Sequence, residues 1–136
     1  MVAWNNLDTL KSFNDLKATT KVNLVDAMAG EGGAARVKSY SVPMAEGMVY
    51  NYASKQVDDS ILDKLATLAD EAQLVEKFEE LYNGAVINTG EKRLVLHQLT
   101  RGQLGNDVIA DDVNKRDFYV AQQNNIAEFA KKVHSG

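Results

Sequence analysis

The chain has 136 residues, 45% of them hydrophobic and 25% charged, with a formal net charge of −4 and no cysteine. That is the length and composition of one ordinary soluble domain, able to bury about 70% of its unfolded surface. The acidic balance and the scatter of lysines and arginines exclude a basic stripe of the kind that binds nucleic acid, and the missing cysteines exclude a disulfide framework, a thiolate zinc site and a cysteine nucleophile.

The opening, MVAWNNLDTLKSF, has no basic patch followed by an apolar run, and no later stretch approaches the roughly 18 apolar residues that span a bilayer. The expectation is a cytoplasmic chain without signal or membrane segment. Trp4, Leu7, Leu10, Phe13 and Leu16 recur every three residues and predict a first amphipathic helix. Leu24, Val25 and Met28 predict a short second one, stopped by Gly30-Glu31-Gly32-Gly33 as a C-cap and turn. From Tyr40 to Tyr52, valines and tyrosines flank Ala45-Glu46-Gly47. That pattern predicts a small hairpin with Pro43 at an edge or strand end.

Asp58 or Asp59 caps a long helix whose stripe runs through Ile61, Leu62, Leu65, Leu68, Ala69, Ala72, Val75, Phe78, Leu81 and Tyr82. A break is expected near Gln73-Leu74 and an end at Asn83-Gly84. A further helical pattern opens at Glu91, carries Leu94, Val95, His97 and Leu99, and closes at Arg101-Gly102. Gly102 to Asp112 reads as a loop or short extended piece. A last helix starts near Asn114, with Phe118, Ile126, Phe129 and Val133 as its buried face. One proline in the whole chain, against an average usage of about 5%, agrees with a mainly α chain carrying a small β element, an α+β arrangement in one domain.

Few residues suggest chemistry. Gly30-Glu31-Gly32-Gly33-Ala34-Ala35 loosely matches GxGxxA, but it follows a helical pattern and not a strand, and Glu31 would repel phosphate; it reads as a turn. The pairs Asp58-Asp59 and Glu79-Glu80 read as a helix cap and a solvated face, because neighbours on a helix point about 100° apart. His97 and His134 are far apart in sequence and lack metal-ligand spacing. His97 reads as a hydrogen-bonded histidine in a packed helix, and His134 as a last-turn cation. Arg93 and Arg101, eight residues apart, share a helix face. Their planar forks suit a carboxylate or phosphate, or else Glu91 or another acidic neighbour.

The stretch Gly84 to Arg101, GAVINTGEKRLVLHQLTR, resembles the signature GEKINxTExRxVLHxALR of phosphoglucose (glucose-6-phosphate) isomerases. The matches are Ile87, Asn88, Glu91, Arg93, Val95, Leu96, His97 and Arg101. MVYNYASKQVDDSILDKLATLADEA is similar to that family's LVDYSKNxITxExLxxLxxLAxEA through Tyr52, Leu62, Leu65, Leu68, Ala69, Glu71 and Ala72. IAEFAKKVHSG resembles its helix ending MxxFxxxVxSG. Gly90 in place of a capping threonine, Leu99-Thr100 in place of Ala-Leu, Asn51 in place of aspartate and the irregular Gly102–Asp112 mark a divergent member.

The resemblance implies an N-terminal segment of a larger α/β sugar-isomerase fold, one that interconverts glucose 6-phosphate and fructose 6-phosphate in glycolysis and gluconeogenesis. No metal or cofactor takes part in that reaction. A histidine opens the ring, a glutamate shuttles the proton through an enediol, and an arginine steadies the charge. In the family all these residues, and the Gly-rich phosphate loop, follow the point matched by Gly136. The expectation is therefore a piece truncated before the catalytic domains, with no catalytic and no substrate-binding residue of its own. Its partners are then the remainder of the isomerase chain and, in the full enzyme, a second copy in a homodimer, with no nucleic acid and no membrane. Asn88, Glu91, Arg93, His97 and Arg101 are the structural signature, and Glu91, Arg93, His97 and Arg101 are expected to form a polar network holding helices together, so that losing Arg93 costs about 1–3 kcal/mol. The rival reading is a stand-alone helical protein-interaction domain.

Overall fold

A computed structural model describes residues 2–102 and 105–136. The chain forms two units, Asn5–Ala72 and Met1–Trp4 with Gln73–Gly136. The mainly helical reading with a small β element holds: six α-helices accompany two two-stranded antiparallel sheets among the described residues.

In the Asn5–Ala72 unit the first amphipathic stripe is not one helix. A 3-10 turn, Leu7–Thr9, ends at Leu10, whose extended ψ of 137° restarts the chain as α1, Lys11–Lys17. The three-residue spacing of the apolar positions suits this 3-10 turn better than a 3.6-residue period. After α2, Leu24–Ala27, the glycine run opens a helix instead of ending one: α3 spans Gly30–Ser39. The expected turn at Gly30–Gly33 is thus corrected. Gly33 is there for closeness, since a Cβ on it would sit 2.1 Å from the Met28 carbonyl oxygen.

The hairpin appears as expected. β1, Ser41–Pro43, pairs with β2, Val49–Asn51, in the register Ser41↔Asn51, Val42↔Tyr50, Pro43↔Val49, and Pro43 ends its strand. Glu46 and Gly47 make the turn at positive φ. α4, Asp59–Glu71, begins at the Asp58 cap, whose carboxylate accepts from the Ile61 N–H at 2.9 Å. Leu10, Ser12, Gly33, Arg36, Ala53 and Ile61 are the buried residues of this unit.

Helix α1 has no cap of its own. The Glu71 carboxylate supplies it, accepting from the N–H groups of Lys11 (3.2 Å) and Ser12 (2.8 Å). These orphan donors and the positive helix end favour the ionised acid. The Ser12 hydroxyl and N–H, then the Lys11 N–H, hold Glu71 below the ordinary value of 4.5. The Ile61 N–H and Ser60 hydroxyl hold Asp58 below 3.8. A depressed carboxylate contributes stability that is complete above its unfolded value and is lost as pH falls through the folded one. The melting temperature should therefore be level above about pH 5 and fall below about pH 4. Glu71→Gln should shallow that acid limb in a melting series; a limb that overlays the parent chain would reject the cap.

In the second unit Gln73 takes a left-handed conformation, φ 53°, which places the expected break before α5, Leu74–Tyr82. Asn83 caps α5 and Gly84 follows at φ 77°. β3, Ile109–Ala110, pairs with β4, Val113–Asn114, through a turn at Asp111 and Asp112. Of the expected Gly102–Asp112 loop, residues 103 and 104 lie outside the described ones. α6, Lys115–Ser135, starts where the sequence indicates, with the Asn114 side chain accepting from the Arg116 N–H. Its expected buried face is corrected: Phe118, Ile126, Phe129 and Val133 are all exposed. Among the described residues, Val2, Leu99 and Val108 are the buried apolar ones of this unit, and Leu99 is only 1% exposed.

Candidate functional site

The segment from Gly84 to Arg101 carries the family-like signature, and it does not fold as the predicted helix. Between Asn83 and the 3-10 turn His97–Thr100 no helix forms. The Asn88 side-chain oxygen accepts from the Glu91 N–H at 3.1 Å, closing a turn in which Lys92 is left-handed at φ 53°. An asparagine that bonds its own following backbone competes with helix, and Gly90 adds freedom at the turn. Asn88 and Arg93 then pair as an antiparallel bridge, Arg93 N–H to Asn88 C=O at 3.2 Å.

This turn brings three of the signature residues together. The Asn88 amide reaches a Glu91 carboxylate oxygen at 3.4 Å, and the Arg93 guanidinium lies 3.6 Å from the same oxygen. The Arg93 and Glu91 side chains are 76% and 62% exposed. An ion pair in that much water contributes about 0–1 kcal/mol. The 1–3 kcal/mol expected for a buried network is therefore too large for the chain as it stands. Among the described residues, neither the His97 imidazole nor the Arg101 guanidinium joins the cluster. His97 is exposed on its 3-10 turn, and its carbonyl accepts from the Thr100 hydroxyl at 2.8 Å. The packed-helix histidine is thus corrected to a surface one.

A hollow of about 590 Å³ adjoins the turn, lined by Lys92, Arg93, Ile109 and Asp111 among others. It offers two cations and one carboxylate, but no nucleophile with a base beside it and no two carboxyls facing each other. General acid–base chemistry needs such a set within hydrogen-bond reach of one reacting atom. Asp58 and Asp59 serve the start of α4: Asp58 caps it, and Asp59 accepts from the Tyr40 hydroxyl at 3.1 Å. Glu79 and Glu80 line an open polar hollow beside Glu76 and Asn83. Among the described residues no group of three or more His, Cys, Asp or Glu side chains is placed to hold a metal ion, and no helix is long and apolar enough to cross a membrane.

The side chains that organise the two units are two buried arginines that the sequence reading passed over. Arg36 of α3 donates to three carbonyls, Ala53 (2.8 Å), Lys55 (3.0 Å) and Val57 (2.7 Å). Its guanidinium carbon lies 4.1 Å from the Tyr40 ring centre. Arg116 of α6 donates to the carbonyls of Asn106 and Tyr82. A Cβ at Gly105, itself at φ 84°, would come within 2.8 Å of that guanidinium. Arg36 lies between the expected Gly30–Gly33 turn and the hairpin, and Arg116 in the expected last helix, and neither position carries a sign of burial in its spacing.

The phosphoglucose isomerase family profile matches residues 51–136. Over 98% of its length the chain is 51% identical to a glucose-6-phosphate isomerase of Treponema denticola, covering 26% of that protein. It is 42% identical over its whole length to one of Borrelia garinii, covering 25% of it. One from Treponema pallidum is 41% identical over 98% of the chain and 26% of the relative. The chain thus spans about a quarter of the length of the curated relatives it matches.

Proposed function

The chain belongs to the phosphoglucose isomerase family, and on that premise we propose that it is the N-terminal structural segment of a glucose-6-phosphate isomerase. Its part in converting glucose 6-phosphate to fructose 6-phosphate is to build the scaffold, and the chemistry belongs to the rest of the enzyme. The observation that carries this is the match itself: essentially the whole chain aligns with proteins of that name while covering a quarter of them. The site geometry supports the division of labour, since the signature residues Asn88, Glu91 and Arg93 tie one turn together and enclose no reacting position.

In this reading residues 1–136 act as a single N-terminal segment preceding the catalytic sugar-phosphate domains. Asn88, Glu91, Arg93, His97 and Arg101 are structural. The full enzyme is a cytoplasmic homodimer that uses no metal. A stand-alone interaction domain has no observation in its favour to set against the full-length match.

The test is a coupled assay with fructose 6-phosphate as substrate. The full-length protein should turn over at ordinary enzyme rates, roughly 1–1000 per second, and the 136-residue chain should not exceed buffer. Turnover by the 136-residue chain would contradict the reading.

A further inference from the structure

In the Asn5–Ala72 unit the hairpin and α4 enclose a hollow of about 370 Å³. Val42 and Tyr50 stand opposite each other in the strand register, and Tyr52 lies two residues on, so all three share one side of the hairpin. Leu62 and Leu65, one helical turn apart on α4, line the hollow with them. The rings of Tyr50 and Tyr52 stack with 6.2 Å between centres and 26° between planes. The loop between the hairpin and α4 is held in shape by Arg36, which takes the carbonyls of Lys55 and Val57, while the Lys55 N–H donates to the Tyr52 carbonyl. Those backbone groups therefore bring no unmet polar demand to the hollow, and the hollow is formed before anything enters it.

We propose that this hollow binds a small aryl monocarboxylate, an apolar ring that carries a single negative charge. The proposal goes beyond the scaffold role and does not depend on it. Size and charge choose the occupant. Small-molecule pockets run from about 300 to 1000 Å³ and are apolar and preformed, with a few polar groups that fix orientation. The hollow lies at the small end of that range, which suits one ring and not a helix or strand of a partner. The stacked tyrosines offer such a ring an offset aromatic contact. Lys55 is the one charged residue of the lining, and among the described residues no carboxylate lies within ion-pair distance of it. The two acids that follow it in the chain are committed elsewhere. Asp58 accepts from the Ser60 hydroxyl and the Ile61 N–H, and Asp59 from the Tyr40 hydroxyl. A carboxylate on the ligand completes Lys55, whereas a sugar would meet a wall with too few hydrogen-bond partners for its hydroxyls.

The test is a ligand-observed NMR titration of the full-length protein with 3-phenylpropionate, and with 3-phenyl-1-propanol as its neutral counterpart. The acid should bind with a Kd of roughly 0.1–1 mM, the range open to a ligand of this size. The alcohol should bind about three- to fivefold more weakly, the factor that one exposed charge pair supplies. Lys55→Gln alters an exposed side chain and should weaken the acid by that same factor while leaving the alcohol unchanged. Tyr50→Ala should weaken both probes at least about tenfold, through loss of the ring contact. Saturating fructose 6-phosphate should leave the Kd of the acid where it was. No saturable binding up to about 20 mM would overturn the proposal and mean that the hollow is filled by another part of the protein or by a second copy. Equal affinity of acid and alcohol would overturn the ligand class, as would a Lys55→Gln variant that binds the acid like the parent. Displacement of the acid by fructose 6-phosphate would place the probe in a sugar-phosphate site and overturn the assignment to this hollow.

Discussion

Arg36→Ala should lower the unfolding free energy of the Asn5–Ala72 unit by roughly 3–5 kcal/mol, the largest effect expected of any single substitution here. The side chain is 8% exposed and holds three backbone carbonyls of the segment between β2 and α4. Truncation removes three charge-assisted bonds and leaves three carbonyls short of a donor, a penalty of about 1–3 kcal/mol each that partial solvation then reduces. The contact with the Tyr40 ring adds about 0.5–2 kcal/mol. Tyr40 in turn donates to Asp59 beside the start of α4 and packs on Tyr52, 5.3 Å between ring centres. Loss of Arg36 thus loosens α3, the hairpin and the α4 cap together. Arg36→Lys keeps the charge but not the fork that spans Ala53 and Val57, and should recover less than half the loss. Urea unfolding followed by circular dichroism measures both. A cost below about 1 kcal/mol for the alanine variant would mean that the three carbonyls find water as readily as they find the guanidinium.

Gly84→Ala should cost roughly 2–4 kcal/mol in the other unit, from two separable causes. The backbone at Gly84 is left-handed, φ 77°, a conformation that costs an alanine about 1 kcal/mol. A Cβ there would also lie 2.3 Å from Val108 Cγ1. Val108 is buried and β-branched, so it has no free rotamer with which to retreat. Combining Gly84→Ala with Val108→Ala should remove the clash and leave the backbone cost. A double-mutant cycle should then show the pair less destabilised than the sum of the singles by about 1–3 kcal/mol. Additivity within about 0.5 kcal/mol would place the whole penalty in the backbone.

What the sequence made legible divides along physical lines. The α4 helix was readable because an Asp cap, a 3.6-residue stripe and a stop at Asn83-Gly84 all agree locally. The hairpin was readable because its turn residues sit between β-branched and aromatic ones. The helix predicted from Glu91 failed although Leu94, Val95 and Leu99 have helical spacing. One side-chain bond from Asn88 and a left-handed Lys92 outweigh a pattern of three apolar residues. The glycines of α3 read as a stop because propensity alone cannot see that Gly33 must pass the Met28 carbonyl. The limits of α6 were readable from Asn114 onward, but its buried face was not. The same periodicity describes a stripe facing a core and a stripe facing something outside these residues.

The signature around Val95-Leu96-His97 identified a family while giving the wrong local structure for its own residues. It lies in loops and a 3-10 turn, with His97 on the surface and Arg93 paired to Glu91 in water. On the proposed function, family membership and site chemistry are carried by different parts of the protein. That separation is the central claim, and the full-length enzyme tests it through the two side chains best suited to proton transfer in this segment. His97→Gln and Glu91→Gln should each leave kcat/KM for fructose 6-phosphate within about threefold of the parent enzyme, because a group that only shapes the scaffold gives up no proton in the transition state. A positioned acid or base contributes about a hundredfold to ten-thousandfold. A loss of a hundredfold or more in either folded variant would mean that this segment takes part in the chemistry, and would contradict the account.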